Sequence, residues 1–304
     1  MSFLLILRVF NLIIYYIKSK YSFYFRMECK KLQEERNGIT LTILQEKGGC
    51  GKSCAIFNIA DYLSKKKNVL IIDLDGQAAD ISYFLFGNKV GDSQDPMRSD
   101  VKTIMHIFRG ADPKDVIVPV KENLDIVPAN TEVTGLMSIH KIKTFKDFIN
   151  QMRKKYDYIL IDVPPSPNWS HVLCLSVCDY VMPIVNPDAA SPKAIIGLND
   201  SVEEIQSTSN PSLEYLGIIM NKYNERTNIA KTMLQQTENI AEQLEVSLFD
   251  TKIHQSVLLE EHILSHQSIF EYASKSKAAK EYKNLSEEII SRIAERGEDK
   301  NGEA

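Results

Sequence analysis

The chain has 304 residues, 44% hydrophobic and 25% charged, with a formal net charge of −4. That size allows one large α/β domain or two small ones, and the composition is ordinary for a soluble globular protein. Five cysteines with no C-x-x-C pair argue against a disulfide framework or a zinc site and for a reducing cytosol.

The first 26 residues stand apart. Phe3 to Ile17 is mostly apolar, interrupted by Arg8 and Asn11, and the segment carries Arg8, Lys18, Lys20 and Arg26 with no acid. It is short for a membrane span and holds a charge inside the apolar run. No small-residue cleavage site follows it. Three readings stay open: a membrane anchor, a helix packed on the domain, or a leader upstream of a start at Met27. The last is favoured because the α/β pattern begins soon after Met27 and needs nothing before it. Setting aside the four basic residues moves the formal charge from −4 to −8 for residues 27–304. A domain that acidic needs a local basic patch to hold nucleic acid.

From Thr40 onward, apolar runs of strand length alternate with segments of helical period. Thr40 to Leu44 reads as a buried strand, and Cys54 to Leu63 as a helix with apolar residues at Ile56, Phe57, Ile59, Ala60 and Leu63. Asn68 to Asp75 is a strand ending in carboxylates, and Ala78 to Phe86 a short helix. A polar loop over 91–100 leads to a helical stretch from Val101 to Phe108. Leu124 to Pro128 is a short strand, and Val133 to Lys154 a helix. Tyr158 to Asp162 is a core strand stopped by Pro164 and Pro165. Tyr180 to Val185 is a strand, Pro192 to Ile205 a helix and Tyr215 to Met220 a strand. Helices follow near 227–243 and 276–294, and 297–304 reads as a polar, disordered tail. The alternation predicts an α/β fold with a mostly parallel twisted sheet and helices on both faces.

Between the first strand and the first helix stands Lys47-Gly48-Gly49-Cys50-Gly51-Lys52-Ser53. Glycines at a strand–helix turn let backbone N–H groups cradle phosphates, and the helix N-terminus adds partial positive charge. In such a loop Lys52 reaches the β/γ-phosphates and the Ser53 hydroxyl holds Mg²⁺. Lys47 is an additional lysine that the general motif does not need. Asp73, Asp75 and Asp162 all close strands, at the sheet edge where open α/β folds bind ligands. Strand-end aspartates also cap turns and helices, but three in this order after a phosphate loop point to a metal and a hydrolytic water.

Together, the loop, Asp73-Leu-Asp75-Gly-Gln77 and Asp162-Val-Pro-Pro-Ser166 resemble the ParA/MinD family of deviant-Walker-A P-loop ATPases, and most of all its ParA branch. Leu216 to Tyr223, Arg226 to Ile229, Phe249 to Ile253 and Ser268 to Tyr272 extend the likeness to about Ile290. The resemblance implies a single P-loop NTPase domain over 27–296 that binds ATP and Mg²⁺. By position, Lys47 crosses to the partner's nucleotide in an ATP sandwich homodimer. Lys52 is the main phosphate lysine, with Gly48, Gly49, Cys50, Gly51, Ser53 and Cys54 forming the rest of the nucleotide loop. Asp75 positions the attacking water, Ser53, Asp73 and Asp162 serve the metal, and Asn221 contacts adenine. The resemblance further implies slow basal hydrolysis stimulated by a ParB-type centromere-binding protein, non-specific DNA binding in the ATP state, and a cytoplasmic, nucleoid-associated location.

Three positions depart from the pattern. Gly76 replaces a common proline, which is expected to loosen that turn. Cys54 replaces a threonine, so a contact to the α-phosphate is expected to weaken. Arg226 matches one family DNA-contacting arginine, but the second falls on Leu258. Lys252, Lys275 and Lys277, with Lys222, Lys231 and Lys280, could form a patch on phosphates or a scattered solvated surface. Cys50 with Cys54 and Cys174 with Cys178 read as small core or loop residues, and Trp169 as core packing. Two other functions stay in view: a MinD-like membrane switch, disfavoured by Glu287, Glu288 and Glu295 on the last helix, and a nucleotide-binding scaffold without turnover.

Overall fold

The computed structural model describes residues 38–76, 81–86, 101–135, 140–165 and 168–302. The apolar leader and the polar loop over 91–100 lie outside them. Among the described residues eight strands form a mixed, mostly parallel sheet: β1 Ile39–Leu44, β2 Val69–Asp73, β3 Val118–Lys121, β4 Leu124–Val127, β5 Tyr158–Asp162, β6 Tyr180–Val185, β7 Glu214–Tyr215 and β8 Ile219–Met220. Their order is β3-β4-β2-β5-β1-β6-β7, with β8 also on β6. Among the described residues only the β3–β4 hairpin is antiparallel. It turns through Asn123 at φ 59°, a conformation that asparagine tolerates well.

The helices are α1 Lys52–Ser64, α2 Ile81–Phe86, α3 Ile104–Phe108, α4 His140–Met152, α5 Trp169–Leu175, α6 Ser191–Thr208, α7 Asn228–Gln243, α8 Leu258–Leu264, α9 Ile269–Tyr272 and α10 Lys277–Gly302. The period of two along each strand divides the core between two faces. Leu41, Ile43, Val69, Ile71, Leu160 and Met182 pack with α1 and α10. Leu44, Leu70, Ile72, Ile159, Ile161 and Val181 pack with α3, α4, α5 and α6. Every residue of β2 and β5 is buried, which explains why their sequences are unbroken apolar runs rather than alternating ones.

Several elements differ from expectation. The helix expected over 133–154 is a 3₁₀ turn, Thr131–Gly135, followed by α4. The one expected from Val101 begins at Ile104, because Thr103 and His106 form a reciprocal cap there. The strand expected over 215–220 is broken in two. At the break, a Cβ on Gly217 would stand 2.4 Å from the Arg292 guanidinium and 2.9 Å from the Phe249 ring. Helix α10 runs on to Gly302, over residues expected in a disordered tail. The i,i+4 contacts of Arg292 with Glu288 and of Ser291 with Glu295 hold the turns that lead into this extension. β3, α5, α8 and α9 have no counterpart in the sequence reading.

Candidate functional site: a phosphate loop at the carboxyl edge of the sheet

β1 lies between β5 and β6, so the loop that leaves it is flanked by the carboxyl ends of both strands. Gly49 and Gly51 adopt φ 71° and 93°, which a side chain would strain. A Cβ on Gly51 would also stand 2.6 Å from Asn221 Nδ2. Asn221 closes β8 and donates from Nδ2 to the Cys50 carbonyl at 2.7 Å, leaving its buried Oδ1 without a donor. Lys222 Nζ reaches back to the Gly49 carbonyl at 2.9 Å. The loop is therefore held from β8 as well as by its own helix. Residues 48–53, Asp75, Pro165, Asn221, Gln255 and Ile263 are among those lining one cleft of about 350 Å³.

Register brings two of the aspartates together: Asp73 and Asp162 are paired positions on the neighbouring strands β2 and β5. Their environments differ. Asp73 accepts from Asp75 N at 2.7 Å, from Ser82 N at 3.0 Å and from Ser82 Oγ at 2.5 Å. It fixes the turn that carries Asp75 and ties it to α2. Asp162 is fully buried, and neither carboxylate oxygen has a hydrogen-bond donor. Burial pushes its carboxyl up to about 7; Ser53 and Lys52 oppose the rise and Asp75 adds to it. The Ser53 hydroxyl and the Val163 N–H act from close by without reaching bonding geometry. A buried, donorless carboxylate beside a hydroxyl is a donor set that suits a hard, hydrated dication. His171, which the sequence reading passed over, donates from Nε2 to the Pro164 carbonyl at 2.7 Å, and burial lowers its pKa. It braces the turn after Asp162 as a neutral imidazole.

Lys47 stands at the rim with half its side chain exposed. Its Nζ meets Asp188 Oδ2 at 2.8 Å, while Asp188 Oδ1 accepts from Ala190 N and Ser191 N at the start of α6. Asp188 is a second residue that the sequence reading missed; its only local signal was Pro187-Asp188 just beyond a strand end.

Two departures from the family pattern acquire physical reasons. Gly76 does not loosen its turn: a Cβ there would stand 2.4 Å from the Asn130 carbonyl, so the backbone is closely packed. Cys54 turns away from the loop into a polar cluster, with Sγ 3.4 Å from His262 Nε2, 3.7 Å from Tyr282 Oη and 3.5 Å from Asn58 Nδ2. Burial raises this thiol to about 11, so it stays protonated.

The basic residues are only partly gathered. Arg226 and Lys277 line one cleft, in company with Glu225 and Glu260, and Lys277 faces Glu281 at 3.6 Å. Lys252 and Lys275 are not among its lining residues. Cys50, Cys54, Cys174 and Cys178 are buried and unbridged, and the last two sulfurs lie 3.6 Å apart. Trp169 is half-buried at a groove between α4, α5 and α6 rather than in the core. Among the described residues no helix is long and apolar enough to cross a membrane.

A family model described as an AAA domain matches residues 38–215, more than half of the chain. The chain belongs to the ParA/MinD family of P-loop ATPases. It is 28% identical over 261 residues to a virulence plasmid ParA family protein of Chlamydia psittaci, covering 84% of this chain and 95% of that one. It is 27% identical over 257 residues to the chromosome-partitioning ATPase Soj of Thermus thermophilus, covering 84% and 96%. In fold it is similar to a putative plasmid partition protein of Borrelia burgdorferi solved with AMPPNP, with a TM-score of 0.66, 23% identity and coverage of 86% and 100%.

Proposed function

We propose that this chain is an Mg²⁺-dependent ATPase that pairs face to face on ATP, holds DNA without reading its sequence, and is released when a partner protein stimulates hydrolysis. The observation that carries this reading is the donorless Asp162 carboxylate set beside Lys52, Ser53 and Asp75 at the glycine loop, with Lys47 on the rim.

Ser53 and Asp162 would hold the metal, Asp162 through water. When bound, Mg²⁺ neutralises charge on the phosphoryl oxygens. The loop's backbone N–H groups and Lys52 bind and orient the phosphates. Asp75, fixed by Asp73 and Ser82, accepts a hydrogen bond from the attacking water and aligns it. Lys47 leaves Asp188 to neutralise the neighbouring protomer's triphosphate, so that hydrolysis and pairing become one event. Asn221 Oδ1 is the free acceptor for the adenine amine.

A membrane-switch reading has less support. The apolar face of α10 is spent on the core through Tyr282, Leu285, Ile289 and Ile293, and Glu287 and Glu288 occupy its outer surface with Tyr62 and Arg292. A scaffold without turnover would leave Asp75 and its brace unused.

The test is DNA retention and sedimentation of residues 27–304 with ATP against ADP, alongside Lys47→Ala and Arg226→Ala. The expected result is an ATP-dependent dimer that retains DNA, with pairing lost in the first variant and retention weakened in the second. DNA retention indifferent to nucleotide would overturn the partition reading. Tight ATP binding with no phosphate release, even with DNA and partner present, would favour the scaffold.

A further inference from the structure

Among the described residues, the two most exposed large apolar side chains flank one short helix. Val257, the N-cap of α8, is 67% exposed and Leu264, its last residue, 76%. Separated by seven positions, they share a face with Glu260 and Glu261, which lie at i+3 and i+4 and are both exposed, Glu261 accepting one bond from Tyr272 Oη at 3.1 Å. The other side of α8 is built into the protein. Leu259 and Ile263 line the phosphate-loop cleft, and Glu260 borders it from the ridge side. His262 is fully buried, bound to Cys54 on α1 through Nε2 and to the Gln267 carbonyl through Nδ1 at 2.9 Å. Just beyond the helix, His266 Nδ1 meets the Phe84 carbonyl on α2 at 2.8 Å. This helix and the turn after it thus touch both the helix that closes the phosphate loop and the helix that follows Asp75.

We propose that the Val257–Leu264 ridge docks a basic, apolar segment of a partner protein, and that the occupant of the neighbouring cleft sets how well it docks. Lys or Arg side chains of that segment meet Glu260 and Glu261 while apolar side chains cover Val257 and Leu264. Charge selects this occupant. Paired carboxylates repel nucleic-acid phosphates. A second copy in a two-fold contact would set these acids against themselves. Beside Val257, Glu260 and the exposed Glu225 line a further cleft suited to a cationic side chain; Arg226 and Lys277 also line it, the latter held by Glu281. The nucleotide dependence rests on the ATP reading of the main cleft; the ridge itself does not. By linkage, a nucleotide that shifts α8 changes the affinity for the segment, and the segment changes the affinity for nucleotide by the same factor.

The test is fluorescence anisotropy of a synthetic helical Leu/Lys peptide, with its Leu/Glu counterpart, on the full chain. The Lys peptide is expected to bind and the Glu peptide not. The double variants Glu260→Lys with Glu261→Lys, and Val257→Ser with Leu264→Ser, are each expected to weaken binding about tenfold or more. Thermal melting should shift by only a few degrees: the charge reversal gives up the bond from Tyr272 Oη to Glu261 at 3.1 Å and two acids in the first turn, while Val257→Ser places a better residue at the N-cap. A non-hydrolysable ATP analogue and ADP should give affinities differing by about threefold or more. Peptide affinity unmoved by both double variants would overturn the proposal. Duplex DNA that displaces the peptide would assign the ridge to nucleic acid, and self-association abolished by the ridge variants would assign it to a second copy; either result overturns it. A fluorescent nucleotide run in parallel separates the two layers. Nucleotide that binds without changing peptide affinity refutes the coupling, whereas nucleotide that fails to bind refutes the ATP reading and leaves the ridge standing.

Discussion

Asp162→Asn should make the metal-free protein more stable and the enzyme inactive. The carboxyl titrates at about 7 in the fold, against an ordinary 3.8. Multiplying that gap by the free energy of one pH unit gives a cost of about 4 kcal/mol for keeping it ionised, as an upper bound. A folded pKa raised above the unfolded one means that the fold binds the proton more tightly. The cost is therefore absent below pH 3.8, grows between 3.8 and about 7, and is complete above 7. Asparagine has the same shape without the charge, so the cost disappears. For a domain of this size, melting at pH 8 without metal should rise by roughly 8 °C at most, taking about 2 °C per kcal/mol. At pH 4 the variant and the parent should melt together. Excess Mg²⁺ with ATP should close the gap from the other side, by stabilising the parent alone. Differential scanning fluorimetry across pH, with phosphate release measured in parallel, reads all of this. A variant no more stable than the parent at pH 8, or one that keeps its Mg²⁺-dependent turnover, would refute the idea that this carboxylate waits unpaired for a cation.

Other positions give sharper separations between folding and function. Asp188→Asn keeps the amide oxygen that caps α6 but releases Lys47, whose side chain is 51% exposed. Melting should move by less than about 1 kcal/mol, while ATP-dependent pairing strengthens in sedimentation; weaker pairing would count against the latch. Gly76→Ala forces a Cβ against the Asn130 carbonyl and should cost about 1–3 kcal/mol in urea unfolding, with turnover lowered because the Asp75 turn moves; an unchanged midpoint would show that the turn has room. Asn58→Ala removes the acceptor of Ile269 N at 2.8 Å and the donor to the Cys54 carbonyl at 2.8 Å, inside a fully buried site. A loss of about 3 kcal/mol is expected, together with faster hydrogen exchange in α8 and α9; exchange confined to α1 would argue that Asn58 serves its own helix alone.

What the sequence disclosed and what it withheld follow from how far apart the interacting residues lie. The phosphate loop, the strand-end carboxylates and the fully buried β2 and β5 are written in contiguous residues, and each was legible from spacing or from unbroken apolar runs. The partners that give those residues their chemistry come from elsewhere in the chain. Lys47 meets Asp188 across 141 positions and Cys54 meets His262 across 208, and no local pattern announces either. Short elements were hidden for a related reason. α8 and α9 have seven and four residues, too few to show a helical period, and they hold their shape because His262, His266 and Asn58 anchor them to neighbours already folded. Gly76 shows the same limit at a single residue. Its missing side chain reads locally as freedom, yet the Asn130 carbonyl, delivered by another strand, occupies the space where a Cβ would sit. A glycine's meaning is thus set by what the sheet brings beside it, and the sheet order, with β1 between β5 and β6 and Asp73 in register with Asp162, is what brings these distant partners to one edge.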